Sequence, residues 1–180
     1  MASQQDQILP RLQESPGKLV GLISDTHVPV RAKEIPKEVF KVFENADYIV
    51  HAGDLVELSV VDELEQVAPV LVVYGNMDGP EIRGKLTKVN SFKVFDWKIG
   101  VIHDPGALFG TSKMREIAKL NGFNALVYGH THNANIKWES DMLFVNPGSP
   151  TNPARPFIVK PTVGLLRITK EKIVPQIIQI

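Results

Sequence analysis

Asp25, His27, Asp54, Asn76, His103, His130 and His132 are the residues in this 180-residue chain whose types could together hold divalent metal ions. They offer carboxylate oxygens, imidazole nitrogens and one amide oxygen, a donor set for hard or borderline ions that contains no sulfur. They sit in five short polar strings: Ser24-Asp25-Thr26-His27, Gly53-Asp54, Gly75-Asn76-Met77-Asp78, His103-Asp104 and Gly129-His130-Thr131-His132. Asp25 and His27 are two apart, so in an extended chain both side chains face one side, and His130 and His132 repeat that spacing. Asp54 is the candidate bridge between two ions, because a carboxylate has two oxygens. Asn76 supplies a neutral carbonyl oxygen. A single Asp after a strand is usually a turn or cap residue. Five such strings in order, holding four of the five histidines, outweigh that reading.

The elements between the strings must bring them to one place. Lys18 to Ser24 is an apolar run bounded by Gly17 and a polar turn, the mark of a buried strand. Tyr48 to Ala52 and Val70 to Tyr74 are two more. A helix is expected from Pro36 to Glu44, with Val39, Phe40 and Phe43 on one face. Another is expected from an N-cap at Ser59 to about Val67. Two successive strand–helix–strand units predict right-handed crossovers and parallel pairing. From Lys88 onward short strands dominate, with one helix over Thr111 to Leu120 presenting Met114, Ile117, Ala118 and Leu120. Each polar string follows a strand, where ligand sites form in sheets with parallel strands.

Composition narrows the classes. The length suits one domain, and 43% hydrophobic with 22% charged residues is close to soluble averages. Lys plus Arg equals Asp plus Glu at 20 each, so no overall field draws the protein to nucleic acid or membrane, and no stable nucleic-acid complex is expected. There is no cysteine, which removes disulfides, thiolate ligands and a Cys nucleophile. Residues 1–17 read as a flexible extension and 18–180 as the domain, with Asn146 to Pro161 a long loop inside it. A cytoplasmic location is the default, since no apolar run reaches transmembrane length.

The strings Asp-x-His, Gly-Asp, Gly-Asn-x-Asp, His and Gly-His-Thr-His, followed by Asn146-Pro147-Gly148-Ser149, resemble the calcineurin-like metallophosphoesterases, especially their small single-domain bacterial and archaeal phosphodiesterases. That resemblance implies an α/β fold, a four-layer α/β/β/α sandwich of two mixed β-sheets flanked by helices. It implies two divalent ions, manganese first, with nickel, zinc, iron or cobalt as alternatives. Asp25, His27 and His132 would hold one ion and Asn76, His103 and His130 the other, with Asp54 shared. A hydroxide bridging two ions would attack a phosphate ester, a small molecule or nucleotide, and Asn76 and His103 would also touch the phosphate. Alternatives are a phosphomonoesterase on the same metals, or a metal-binding scaffold like the small retromer component, which shares the Asp-x-His-x-Pro stretch seen at Asp25 to Pro29. A homo-oligomer is possible.

Two positions depart from the pattern. Met77 stands where many relatives carry a histidine after Gly-Asn, and His103-Asp104-Pro105-Gly106 stands where they often show His-Gly-His. Among the other polar residues, His51 reads as a hydrogen-bonded core histidine. Asp78 reads either as a residue orienting a ligand or as a turn residue before Gly79-Pro80, and Asn146 to Ser149 as a turn on the rim.

Overall fold

The computed structural model describes residues 17–153 and 159–180. The extension assigned to residues 1–17 and the tip of the 146–161 loop therefore lie largely outside the described residues. β1 (Lys18–Ile23) pairs in parallel with β2 (Tyr48–His51), and β2 with β3 (Val70–Val72). β9 (Thr162–Ile168) joins β1 antiparallel, and β10 (Ile173–Gln179) joins β9, giving the sheet order β10-β9-β1-β2-β3. The second sheet runs β4-β5-β6-β8-β7, built from β4 (Val89–Val94), β5 (Trp97–Ile102), β6 (Ala125–Val127), β7 (Asn135–Glu139) and β8 (Met142–Asn146). β5, β6 and β8 are parallel, while β4 and β7 are antiparallel at the edges. Both sheets are mixed, as the resemblance implied.

The alternation of side chains explains the layering. Val20 and Leu22 of β1, Val50 of β2, Ile99 and Val101 of β5 and Val127 of β6 meet in one core between the sheets. Ile23, Ile49 and Val70 face the other way, toward α1 (Lys37–Phe43), α2 (Ser59–Glu65) and α3 (Pro80–Lys85). Phe43 is fully buried over Gly21, where a Cβ would stand 2.8 Å from its ring. Truncating such a ring to Ala typically costs about 3–5 kcal/mol. On the far face of the second sheet, α4 (Ser112–Asn121) buries Met114 and Ala118 against Leu126 and Phe144.

Several local expectations are corrected. Ser59 is the first residue of α2, with Leu58 at the cap and no side-chain cap hydrogen bond. Leu120 is exposed, because the buried stripe of α4 passes through Met114 and Ala118 instead. β3 stops at Val72, and Val73 instead bridges to Thr87. α3 and a 3₁₀ turn at Ala107–Phe109 were not expected from sequence; α3 buries only Ile82, and the turn buries nothing. Among the described residues, no helix is long and apolar enough to cross a membrane.

Candidate metal centre

All five polar strings follow the carboxyl ends of parallel strands: β1, β2 and β3 in one sheet, β5 and β6 in the other. The backbone there is not extended. Asp25, His27, Asp54, His130 and His132 have φ of 54°, 46°, 58°, 70° and 55°, in the left-handed region that non-glycine residues seldom occupy. Each such residue costs on the order of 1–3 kcal/mol, and such strain concentrates at functional sites. The two-residue spacing therefore does not act through the extended chain expected from sequence. Asp25 and His27 do converge, but through left-handed turns, whereas His130 and His132 part toward different partners. Gly75 is required here, since a Cβ on it would collide with the Asp54 carboxylate and stand 2.6 Å from the Asp54 nitrogen.

The seven candidate residues come together in two groups. Asp25, His27 and His132 each place a ligand atom within 4.8 Å of the others. His132 Nε2 lies 3.3 Å from Asp25 Oδ1 and 3.2 Å from His27 Nε2, and the two rings stack with centroids 5.0 Å apart. Opposite them, Asn76 Oδ1 lies 3.0 Å from His103 Nε2 and 2.8 Å from His130 Nδ1. Asp54 Oδ2 stands 3.3 Å from His103 Nε2 and 3.7 Å from His27 Nε2. Asp25 also comes within reach of Asp54 and His103. Its Oδ2, however, already accepts Ser24 Oγ at 2.7 Å and the His130 N–H at 3.1 Å, which leaves Oδ1 for the His27 and His132 side. Asp54 is therefore the better placed carboxylate to serve both groups.

The donor chemistry fits a cation. His103 Nδ1 donates to the Ala52 carbonyl at 2.8 Å, so Nε2 is the nitrogen that faces the oxygens of Asn76 and Asp54. His132 Nδ1 donates to the Asn152 carbonyl, which turns its Nε2 toward Asp25. A neutral imidazole in either place sets a lone pair against acceptors, which a proton or a metal ion resolves. Burial would lower the His103 pKa, but the hydrogen bond to Asp54 and the charges of Asp25 and Asp54 hold it above its ordinary value. Burial likewise pushes the Asp25 carboxyl up, against the pull of His103 and His132. For Asp54 burial acts upward too, yet His103, the Met77 N–H and His27 together hold it below the usual range. Two buried carboxylates in one site demand positive charge.

The family profile for the calcineurin-like phosphoesterase superfamily domain matches residues 19–171, which includes every one of these residues. The chain belongs to this superfamily. It is 43% identical over 166 residues to a probable metallophosphoesterase of Methanothermobacter thermautotrophicus, covering 89% of this chain and 92% of that protein. It is 32% identical to a phosphodiesterase of Methanocaldococcus jannaschii, covering 85% and 95%. In fold it is similar to Vacuolar Protein Sorting 29 from Cryptosporidium parvum, with a TM-score of 0.81 over 92% and 93% of the two chains at 23% identity.

In this member of the superfamily the loops that carry the candidate ligands are tied down by buried polar residues. Asp78 is buried and accepts the N–H groups of Asp54, Val56 and Gly75 at 3.0, 2.7 and 2.7 Å, so the orienting role applies. Asn146 and Ser149, expected on the rim, are fully buried instead. Asn146 Nδ2 donates to the Gly129 carbonyl at 2.8 Å, and Ser149 Oγ to the Asp25 carbonyl at 2.7 Å. Buried backbone groups in irregular loops need such partners. His51 accepts the Gly53 N–H on Nδ1 and donates from Nε2 to Thr26 Oγ1, a buried structural histidine pushed down to about 3 by burial.

Proposed function

We propose that this metallophosphoesterase hydrolyses phosphodiesters with two divalent ions, manganese first. Asp25, His27 and His132 would hold one, Asn76, His103 and His130 the other, with Asp54 between them. The observation that carries this reading is Asp54 Oδ2, which faces one histidine from each group at 3.7 and 3.3 Å. Bound there, such ions supply Lewis-acid polarisation of a phosphoryl oxygen and acidification of water. The chain's own part is to fix the donors. Asp78 anchors the Asp54 and Gly75 loops, Ser149 anchors Asp25, and the Ala52 carbonyl sets which nitrogen His103 presents. Asn76 and His103 line an open cleft, where they can orient the phosphate.

Preference for diesters is supported by the name of the Methanocaldococcus relative. It is also supported by the five strings, none of which contains Arg or Lys to meet a monoester's extra charge. A monoesterase is favoured by one contact, Arg83 Nη2 donating to the Asn76 carbonyl at 2.7 Å, which sets a cation beside the site. A non-catalytic scaffold is disfavoured, because Asp54 and Asn76 are both retained, their oxygens 3.3 and 3.0 Å from His103 Nε2. Catalytic efficiencies for bis-p-nitrophenyl phosphate and p-nitrophenyl phosphate, measured with manganese, separate the readings. The diester should be the better substrate, and a clear monoester preference reverses the assignment.

A further inference from the structure

A cavity of about 290 Å³ opens beside the proposed metal centre. Asn76, His103 and Asp104 line it, and so do Tyr74, Arg83 and Lys88, which the metal centre does not use. Arg83 lies in the last turn of α3 and is held in place. Its Nη2 donates to the Asn76 carbonyl at 2.7 Å, and its guanidinium carbon stands 5.7 Å from the centroid of the Tyr74 ring. A guanidinium fixed in this way loses little freedom when it takes up an anion. The opposing charge in the wall is Asp104, whose carboxylate lies 3.8 Å from His130 Nε2. Two cations against one carboxylate leave the cavity wall net positive beside the centre.

We propose that Arg83 and Lys88 form a subsite for a second phosphate group of the substrate, carried on the part of the ester remote from the scissile phosphorus. The inference rests on the phosphoesterase reading, since it places the scissile phosphate at Asn76 and His103. A terminal phosphate carries about −1.5 to −2 charges at neutral pH and three acceptor oxygens, which two cations match better than they match a carboxylate. The cavity is near the lower end of small-molecule sites, which suits a phosphate and the few atoms linking it to the reacting group.

Calorimetry with the manganese-loaded protein tests this, using thymidine 3′,5′-bisphosphate against thymidine 5′-monophosphate. The wild type should bind the bisphosphate about tenfold tighter or more, as expected for a charge-assisted contact. Lys88→Gln should erase most of that advantage while leaving the monophosphate affinity unchanged. Arg83→Gln should erase it too, but Arg83 is bonded to Asn76, so Lys88→Gln is the decisive variant. Equal affinity for the two nucleotides, no measurable binding of the bisphosphate, or a preference that survives Lys88→Gln overturns the subsite. Hydrolysis of bis-p-nitrophenyl phosphate is followed in parallel. Its absence strikes the phosphoesterase reading, whereas the ratio of nucleotide affinities reports on the subsite alone.

Discussion

The Asp78 carboxylate accepts the backbone N–H of Asp54 at 3.0 Å, and the same oxygen accepts the Gly75 N–H at 2.7 Å. One buried side chain thus fixes two loops, those of the candidate ligands Asp54 and Asn76, that approach each other from adjacent strands. Hydrogen bonds to charged groups contribute about 1.5–3 kcal/mol each, and a buried donor left without a partner costs about 1–3 kcal/mol. Asp78→Ala should therefore lower stability by several kcal/mol and weaken metal binding. Asp78→Asn, which keeps one acceptor oxygen, should fall between. Urea unfolding and metal titration of the three proteins check this; unchanged metal affinity in Asp78→Ala would show that the loops hold their positions unaided.

His51 gives the fold a pH dependence with a definite sign. Its pKa is lowered from 6.5 to about 3 by burial, with His103 adding to the effect. Protonation would also set a new N–H against the Gly53 N–H. Below about pH 6.5 the unfolded chain takes up a proton that the folded chain refuses, so stability falls as pH drops toward about 3, by up to ~1.4 kcal/mol per pH unit. In metal-free protein, the slope of unfolding free energy against pH between about 6 and 4 should be shallower in His51→Gln than in wild type. Parallel slopes contradict this assignment.

Met77 bears on the leaving group. It is half exposed beside the site, and its N–H donates to Asp54 Oδ1 at 2.7 Å, so its backbone is pinned there. Methionine has no proton to give. Asp78 does not replace a donor, because its carboxylate already accepts three N–H groups. An absent general acid typically forfeits about 10²–10⁴-fold in rate, chiefly with poor leaving groups. Rates should therefore fall steeply from aryl to alkyl esters, and Met77→His should flatten that dependence. A shallow wild-type slope that steepens in Asp104→Asn would make Asp104 the acid instead.

The residues that meet at the site were legible because their types are rare and each string follows a strand. The layering was legible in the alternation of Val20 and Leu22 against Ile23, but the pairing of β5, β6 and β8 was not, since three- to six-residue strands carry no partner information. What holds the candidate ligands was hidden as well. Ser149 reaches Asp25 across 124 positions, and no local pattern encodes such a bond. The left-handed turns at Asp25, His27 and Asp54 were hidden too, because Asp and His tolerate that conformation without demanding it. The glycines at 53, 75 and 129 were the available sign of close approach.

The number of ions bound per chain, with and without the Asp54 carboxylate, tests the central claim most directly. Wild-type protein equilibrated with manganese and freed of excess should hold two ions per chain and lose activity on chelation. Asp54→Ala should fail to retain both ions and should lose more activity than any other single substitution at the centre, since both groups of ligands lose a donor. A wild-type protein that holds one ion with full activity, or an Asp54→Ala variant that still binds two and turns over normally, contradicts the account.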